Sequence, residues 1–115
     1  KDMPLLKIMT NTHVDAAEEV LKETTQVVST MLGKPASYVQ IVLQDAQTMA
    51  FAGTMEPCAY LELRSLGLPE EQTESMSATL CGLVAQSLGI AANRTYIQFC
   101  SPARHLWGWD AKTFA

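Results

Sequence analysis

Two helical segments, each ended by a glycine and followed by a strand, constrain the fold of this chain more than any other feature. Apolar residues recur at helical spacing over about residues 15–32, and this pattern stops at Gly33. A second helical pattern begins at Leu68-Pro69 and stops at Gly89. Each glycine leads into a similar strand, Tyr38-Val39-Gln40-Ile41 or Tyr96-Ile97-Gln98-Phe99. The chain therefore contains a faint internal repeat.

A strand pattern precedes each of the two helices. Residues 4–10 alternate in the way that strands do, and residues 58–66 form a strand bounded by Pro57 and Gly67. Strands are also expected over residues 38–43 and 94–100, with a loop or short edge structure over 44–56 and short strands or turns over 101–115. Asp15 and Glu18 have the spacing of a capping pair for the first helix.

This order, β-α-β twice over, predicts an α/β (α+β) fold. Two such halves would form a four-stranded sheet with both helices on one face. The other face of the sheet would then be uncovered, and apolar residues on it would need a partner. The pattern therefore favours self-association.

Composition limits the classes of partner. Charged residues make up 17% of the chain, compared with about 25% in typical domains. The net charge is −4 and the 8 Lys and Arg residues form no cluster, so neither nucleic acid nor an anionic membrane is an expected partner. No apolar run approaches the roughly 20 residues that span a bilayer, and we expect no signal peptide. These features predict a single domain that begins life in the cytoplasm.

The cysteines are Cys58, Cys81 and Cys100, and they form no C-x-x-C motif. Nor do they have metal-ligand spacing with His13 or His105. We predict reduced, mostly buried thiols, with no metal and no cofactor.

Motifs along the whole chain resemble those of the macrophage migration inhibitory factor family. They occur in the family's order: Met3-Pro4, Gly33-Lys34-Pro35 with Tyr38, Met49-Ala50-Phe51-Ala52-Gly53, Glu56-Pro57-Cys58-Ala59, Ser65-Leu66-Gly67, Asn93-Arg94-Thr95-Tyr96-Ile97, Trp107-Gly108-Trp109 and Thr113-Phe114-Ala115. Any one of these matches alone would be weak, but together they cover residues 4–115. The resemblance implies a homotrimer in which three sheets form a barrel and the active sites lie between subunits.

The resemblance also implies an activity, keto–enol tautomerisation of a small aromatic substrate such as phenylpyruvate, or isomerisation of a dopachrome ester. Family members begin with a proline whose amine serves as the base, which makes Pro4 the candidate catalytic residue. The resemblance assigns substrate-binding roles to Lys34, Tyr38, Ser65, Leu66, Tyr96, Gln98, Trp109 and Phe114. Of these, Tyr96 and Gln98 are expected from the adjacent subunit.

Residue types alone favour plainer interpretations. Pro4 would be an edge-strand proline, and Lys34 would be a lysine that interacts favourably with the end of a helix. Trp109 and Phe114 would be core aromatics. Ser65 and Leu66 would be residues that pack at the end of a strand, and Tyr38 would be a half-exposed tyrosine in a strand.

The sequence departs from the family pattern at several positions. Gln98 stands where family members similar to the vertebrate protein have asparagine, and its longer side chain would change the orientation of the substrate. Trp107 replaces a smaller apolar residue and would narrow the mouth of the pocket. Leu61 stands where a second cysteine would complete C-x-x-C, which argues against thiol–disulfide oxidoreductase activity.

Residues 1–3 precede the proline that should be the first residue. Lys1 and Asp2 are interpreted as remnants of expression and Met3 as the natural start, which leaves 4–115 as the single domain. With residues 1–3 present, the Pro4 nitrogen is a tertiary amide without a basic lone pair.

Two other functions stay open at this point. One is a cytokine-like binding module that leaves cells without a signal peptide and engages a cell-surface receptor. The other is a related reaction on a different small molecule, such as an unsaturated acid.

Overall fold

The computed structural model describes residues 3–115. Lys1 and Asp2, interpreted above as expression remnants, lie outside the described residues. The elements in chain order are β1 (Leu5–Thr10), α1 (Ala17–Leu32), β2 (Gln40–Gln44), β3 (Ala59–Arg64), α2 (Thr73–Leu88), β4 (Thr95–Cys100), β5 (Gly108–Trp109) and β6 (Lys112–Thr113). Single 3₁₀ turns lie at Ala36–Tyr38, Glu70–Gln72, Ala92–Arg94 and Arg104–Leu106.

The main sheet has four strands in the order β2-β1-β3-β4. Each β-α-β unit pairs its own two strands in parallel, β1 with β2 and β3 with β4. The two units meet through β1 and β3, which are antiparallel. The predicted pair of β-α-β repeats is therefore confirmed, and the two repeats form one continuous sheet.

Both helices pack on the same face of this sheet. Alternate residues of β1 and β3 are buried against them: Leu6, Ile8, Leu61 and Leu63. The helices contribute Val28 from α1 and Leu80 and Val84 from α2 to the same cluster. One shared core on one face is the reason that the two repeats form a single layer of helices over a single sheet.

Both helices end where the sequence predicts, but their starts differ from the prediction. The second helix, α2, begins at Thr73, after the 3₁₀ turn over Glu70–Gln72, and not at Leu68-Pro69. Gly33 and Gly89 have φ angles of 65° and 72°, the left-handed conformation that glycine adopts without strain. The predicted Asp15–Glu18 capping pair is wrong. The helix begins at Ala17 with Ala16 as its cap, and the carboxylate of Asp15 instead lies 2.9 Å from Nε2 of His13.

The second strand begins later than predicted. Pro35 has φ −61° and ψ 140°, and the amide of Tyr38 donates to its carbonyl at 3.0 Å. This bond closes a 3₁₀ turn over Ala36–Tyr38, so Tyr38 lies in the turn and the strand starts at Gln40.

The uncovered face of the sheet has a polar centre. The carboxylate of Glu62 on β3 lies 3.4 Å from Nη2 of Arg64 and 4.0 Å from Nζ of Lys7 on β1. The Tyr60 hydroxyl donates to Oε2 of Glu62 at 2.9 Å and lies 3.0 Å from Oε1 of Gln98 on β4. The expectation of an apolar open face therefore does not hold at its centre, because charges of opposite sign face each other across neighbouring strands.

These contacts shift the titration of two groups. The hydrogen bond from Tyr60 is the largest of several contacts that lower the pKa of Glu62, with Arg64 and Lys7 adding to it. The same hydrogen bond raises the pKa of Tyr60.

Replacement of the Glu62 carboxylate should lower the free energy of unfolding by an amount that depends on pH. Because the pKa of Glu62 is lower in the folded state, its ionised form stabilises the fold above its ordinary pKa of 4.5. This contribution is lost as the pH falls through the folded-state pKa. Glu62→Gln should therefore lower the free energy of unfolding by about 1 kcal/mol at pH 7 and by progressively less at acid pH. Urea unfolding of both proteins from pH 3 to 7 measures this difference.

The control for this experiment is Glu56→Gln, which removes an exposed carboxylate outside the sheet. It should leave stability nearly unchanged across the same range. A constant difference between wild type and Glu62→Gln at every pH would contradict the assignment of the effect to ionised Glu62.

Candidate active site around Pro4

Pro4 is buried at one end of the sheet, immediately before β1. Its carbonyl accepts a hydrogen bond from the Gln40 amide at 2.9 Å, which ties it to the start of β2. On the other side, Leu5 pairs with Arg64, the last residue of β3. The first residue of the predicted domain is therefore fixed between two neighbouring strands rather than left as a loose terminus.

A cavity of about 250 Å³ opens beside Pro4. Its walls come from the residues next to Pro4, from the 3₁₀ turn before β2 and from the C-terminal segment: Met3, Pro4, Ser37, Tyr38, Val39, Gln40, Trp107, Gly108 and Trp109. Three aromatic side chains thus surround a space at the proline. This volume suits a small aromatic molecule better than a macromolecular segment.

The C-terminal hairpin positions one of these aromatic walls. Trp109 on β5 stacks on Phe114, with ring centroids 6.2 Å apart and an angle of 6° between the planes. Arg104 holds Phe114 in turn, since its Nε donates to the Phe114 carbonyl at 2.8 Å and its guanidinium lies 6.0 Å from the ring centroid. Phe114 therefore supports Trp109 from behind and does not itself line the Pro4 cavity.

Lys34, Ser65 and Leu66 do not line this cavity in the isolated chain, although each lies near the same end of the sheet. Lys34 follows the end of α1, where its amide donates to the Ser29 carbonyl at 3.0 Å, and it leads directly into the Tyr38 turn. Ser65 follows Arg64, the β-sheet partner of Leu5, which places it at the Pro4 end of β3. Ser65 and Leu66 are both almost fully buried.

Tyr96 and Gln98 lie away from Pro4 within one chain. Tyr96 pairs with Tyr60, which pairs with Met9 near the far end of β1. At about 3.3 Å per residue, Pro4 and Met9 are roughly 16 Å apart along the strand. Gln98 is nearer, level with Lys7. A single chain therefore cannot bring Tyr96 to its own Pro4, and Tyr96 is 67% exposed.

Part of the cavity wall is formed by residues that the sequence did not indicate. Ser37, Val39 and Gln40 line it because they flank Tyr38 in the turn and the strand start. Because these three residues are neighbours of Tyr38 in the sequence, the predicted role of Tyr38 could have indicated them as lining residues. Two arginines that hold aromatic residues, Arg94 and Arg104, were also missed, because cation–π contacts leave no spacing pattern in the sequence.

A larger cavity lies between the two helices but offers no acid–base group. It has a volume of about 500 Å³ and is lined by Gln26, Val27, Thr30, Met31, Ser75 and Thr79. None of these side chains is a base near neutral pH, so the Pro4 cavity is the better candidate for catalysis.

The three cysteines are free. Cys58 is 1% exposed, but Cys81 and Cys100 are half-buried, so only one thiol is as deeply buried as predicted. Leu61, at the position of the missing second cysteine, is fully buried. Among residues 3–115, no group of three or more His, Cys, Asp or Glu side chains could hold a metal ion. Within the same range, neither helix is long and apolar enough to cross a membrane.

Solved structures with this architecture share its fold over nearly the whole chain. The macrophage migration inhibitory factor homologue from Prochlorococcus marinus superposes with a TM-score of 0.91 at 38% identity, covering 96% of this chain and 99% of that one. The protein from Trichinella spiralis gives a TM-score of 0.87 at 31% identity, with the same coverage of both chains. The two helices over a mixed four-stranded sheet are therefore the tautomerase fold.

Sequence comparison identifies the family. The model of the family described as macrophage migration inhibitory factor (MIF) matches residues 3–115. Macrophage migration inhibitory factor from Rattus norvegicus is 36% identical over 115 residues, which cover 98% of this chain and all of the relative. A homologue from Trichuris trichiura is 35% identical over 114 residues. The chain belongs to the macrophage migration inhibitory factor family.

Proposed function

We propose that this protein, when its chain begins at Pro4, is a keto–enol tautomerase of small aromatic keto acids, of the phenylpyruvate or dopachrome type. One observation carries the proposal: a proline fixed at the head of β1 beside a cavity walled by Tyr38, Trp107 and Trp109. Family membership supports the same reaction class. The functional domain in this proposal is residues 4–115, with Met3 as the natural start that is removed.

The proposed base is the secondary amine of Pro4. An ordinary α-amine has a pKa of about 7.7–8.0, and burial in an apolar site lowers it because the ammonium form loses hydration. Pro4 is buried, and Tyr38, Trp107 and Trp109 line its cavity together with the polar residues Ser37 and Gln40. The neutral amine can then accept the proton from the carbon next to the substrate carbonyl and become an ammonium. The ammonium returns a proton to the carbonyl oxygen, which gives the enol and restores the neutral amine. The reverse steps regenerate the ketone.

The other proposed residues orient the substrate. Lys34 supplies a positive charge for the substrate carboxylate or the developing enolate. Ser65 and Leu66 come from the same subunit as Pro4 and line the part of the site next to this base. Tyr38 and Trp109 pack on the aromatic ring, and Phe114 contributes by supporting Trp109. No metal or cofactor is required by this chemistry.

The remaining groups, Tyr96 and Gln98, come from the adjacent subunit of a proposed homotrimer. The roughly 16 Å along the strand between Pro4 and the level of Tyr96 argues against a site complete within one chain. Tyr96 is well exposed on its own subunit, and it is therefore available to a neighbour. The open face of the sheet, with its polar centre, would face the inside of the trimer barrel.

The pH dependence of the reaction tests the proposed base directly. In protein that begins at Pro4, kcat/KM for phenylpyruvate should rise with pH through one ionisation below the ordinary α-amine range of about 7.7–8.0. An NMR titration of Pro4 labelled with ¹⁵N should give the same pKa. Two clearly different values would remove Pro4 as the base, and no detectable activity at any pH would remove the proposed function.

A second function is favoured by the names of the curated relatives, which are macrophage migration inhibitory factors. In this alternative the protein is a cytokine that binds a cell-surface receptor through the trimer surface. The protein would be cytoplasmic and would leave cells by a route that uses no signal peptide. Receptor binding would then persist in a variant that has lost the Pro4 amine.

A further inference from the structure

The segment before β3 forms a tight turn that carries an aromatic ring. The amide of Phe51 donates to the Thr54 carbonyl at 2.9 Å, and the Thr54 amide donates back at 3.1 Å. The two residues between them, Ala52 and Gly53, have φ angles of 55° and 77°. Two successive residues with positive φ are typical of a type I′ turn, which fixes the direction of the flanking chain.

Arg94 holds this segment at several points. Its Nε donates to the Pro57 carbonyl at 2.8 Å and its Nη2 donates to the Glu56 carbonyl at 3.0 Å. The same guanidinium lies 5.2 Å from the centroid of the Phe51 ring, within the range of a cation–π contact. One side chain therefore fixes both the backbone after the turn and the ring that the turn carries.

Phe51 in turn contacts Tyr96, which follows Arg94 by two positions in the chain. The rings meet edge to face, with centroids 5.0 Å apart and an angle of 62° between the planes. Tyr96 is 67% exposed in the isolated chain, so its own subunit restricts it at few points. The contact with Phe51 limits the orientations that the exposed ring can adopt.

We propose that Arg94 and Phe51 are positioning residues that hold the ring of Tyr96 in the orientation used at the active site of a neighbouring subunit. This inference rests on the proposed function, since it takes Tyr96 to be a substrate-binding residue. Neither Arg94 nor Phe51 lines the Pro4 cavity. Their effect on catalysis therefore passes through Tyr96.

The test is a double-mutant cycle in protein that begins at Pro4. Phe51→Leu and Arg94→Gln should each lower kcat/KM for phenylpyruvate about fivefold, mainly by raising KM. In a Tyr96→Ala background, the same substitutions should have little further effect, because the ring that they position is gone. Met55→Ala is the matched control: this exposed residue of the same loop should leave kcat/KM unchanged.

A readout that does not depend on activity separates this inference from the proposed function. The NMR resonances of the Tyr96 ring should shift in Phe51→Leu and in Arg94→Gln, and stay in place in Met55→Ala. Arg94→Lys, which keeps the charge but loses the forked donor group, replaces Arg94→Gln if the latter does not fold. If wild-type protein is inactive, the proposed function fails, and the Tyr96 resonances still decide whether the ring is held.

Two results would overturn the inference. One is an additive loss of kcat/KM when Phe51→Leu is combined with Tyr96→Ala in active protein. The other is an unchanged set of Tyr96 ring resonances in both the Phe51 and the Arg94 variants.

Discussion

Protein that begins at Pro4 should tautomerise phenylpyruvate at least about 100 times faster than the chain that begins at Lys1. In the longer chain, the Pro4 nitrogen is part of a tertiary amide, and its lone pair is delocalised into the carbonyl of Met3. Met3 also lines the cavity beside Pro4. Removal of residues 1–3 therefore creates the base and clears the space next to it. Enolisation of phenylpyruvate, followed by absorbance for both proteins, measures the ratio.

The control for this comparison is Pro4→Gly in the shorter protein. This variant keeps an N-terminal amine but loses the rigid ring that fixes its direction, so its rate should fall well below that of the proline form. Circular dichroism and light scattering on all three proteins establish that fold and assembly are the same. Equal rates for the Lys1-start and Pro4-start proteins would sink the proposal that Pro4 is the base.

The same variant separates the two proposed functions. If the protein acts only as an enzyme, Pro4→Gly removes its function. If it acts as a receptor-binding cytokine, cell-surface binding by Pro4→Gly should largely persist, because the substitution leaves the surface of the proposed trimer unchanged.

Leu61→Ala should lower the free energy of unfolding by about 3 kcal/mol. Leu61 is 0% exposed and lies on β3, whose neighbours β1 and β4 hold it on both sides. It packs in the cluster that the sheet shares with both helices. Its truncation removes apolar contacts and leaves a cavity in the shared core. Urea unfolding of wild type and variant under identical conditions measures the loss.

An exposed leucine provides the control for this prediction. Leu106 is 70% exposed, so Leu106→Ala should change the free energy of unfolding by no more than about 0.5 kcal/mol. Similar losses from the two substitutions would show that the burial of Leu61 is not what stabilises the fold.

The helix ends and strand faces were predictable because they depend on local chemistry. Gly33 and Gly89 end their helices for a reason that is visible in the sequence, since glycine adopts positive φ without strain. Alternation in β1 correctly separated the buried Leu6 and Ile8 from Leu5, Lys7 and Met9. The start of α1 was not predictable from Asp15 and Glu18, because Asp15 instead pairs with His13.

The candidate site was only partly predictable. Resemblance to the family pointed to Pro4, Tyr38 and Trp109, which the fold brings to one cavity. It also pointed to Tyr96, but the distance between Tyr96 and Pro4 within one chain depends on strand register, which the motif does not contain. The role of Phe114 as a support for Trp109 likewise depends on how the C-terminal hairpin folds back.

The sequence by itself determined the order of elements, their main boundaries and the family, because periodicity, glycine stops and short motifs are local properties of the chain. The tertiary structure decided which residues share a space. The order of the strands places Pro4 between β2 and β3, and the strand register places Tyr96 towards the opposite end of the sheet. The tertiary structure also brings three strands together to form the polar centre of the open face. It brings Arg94, Phe51 and Tyr96 into contact from separate segments of the chain. These contacts join residues far apart in the chain, and their geometry is fixed only when the core packs.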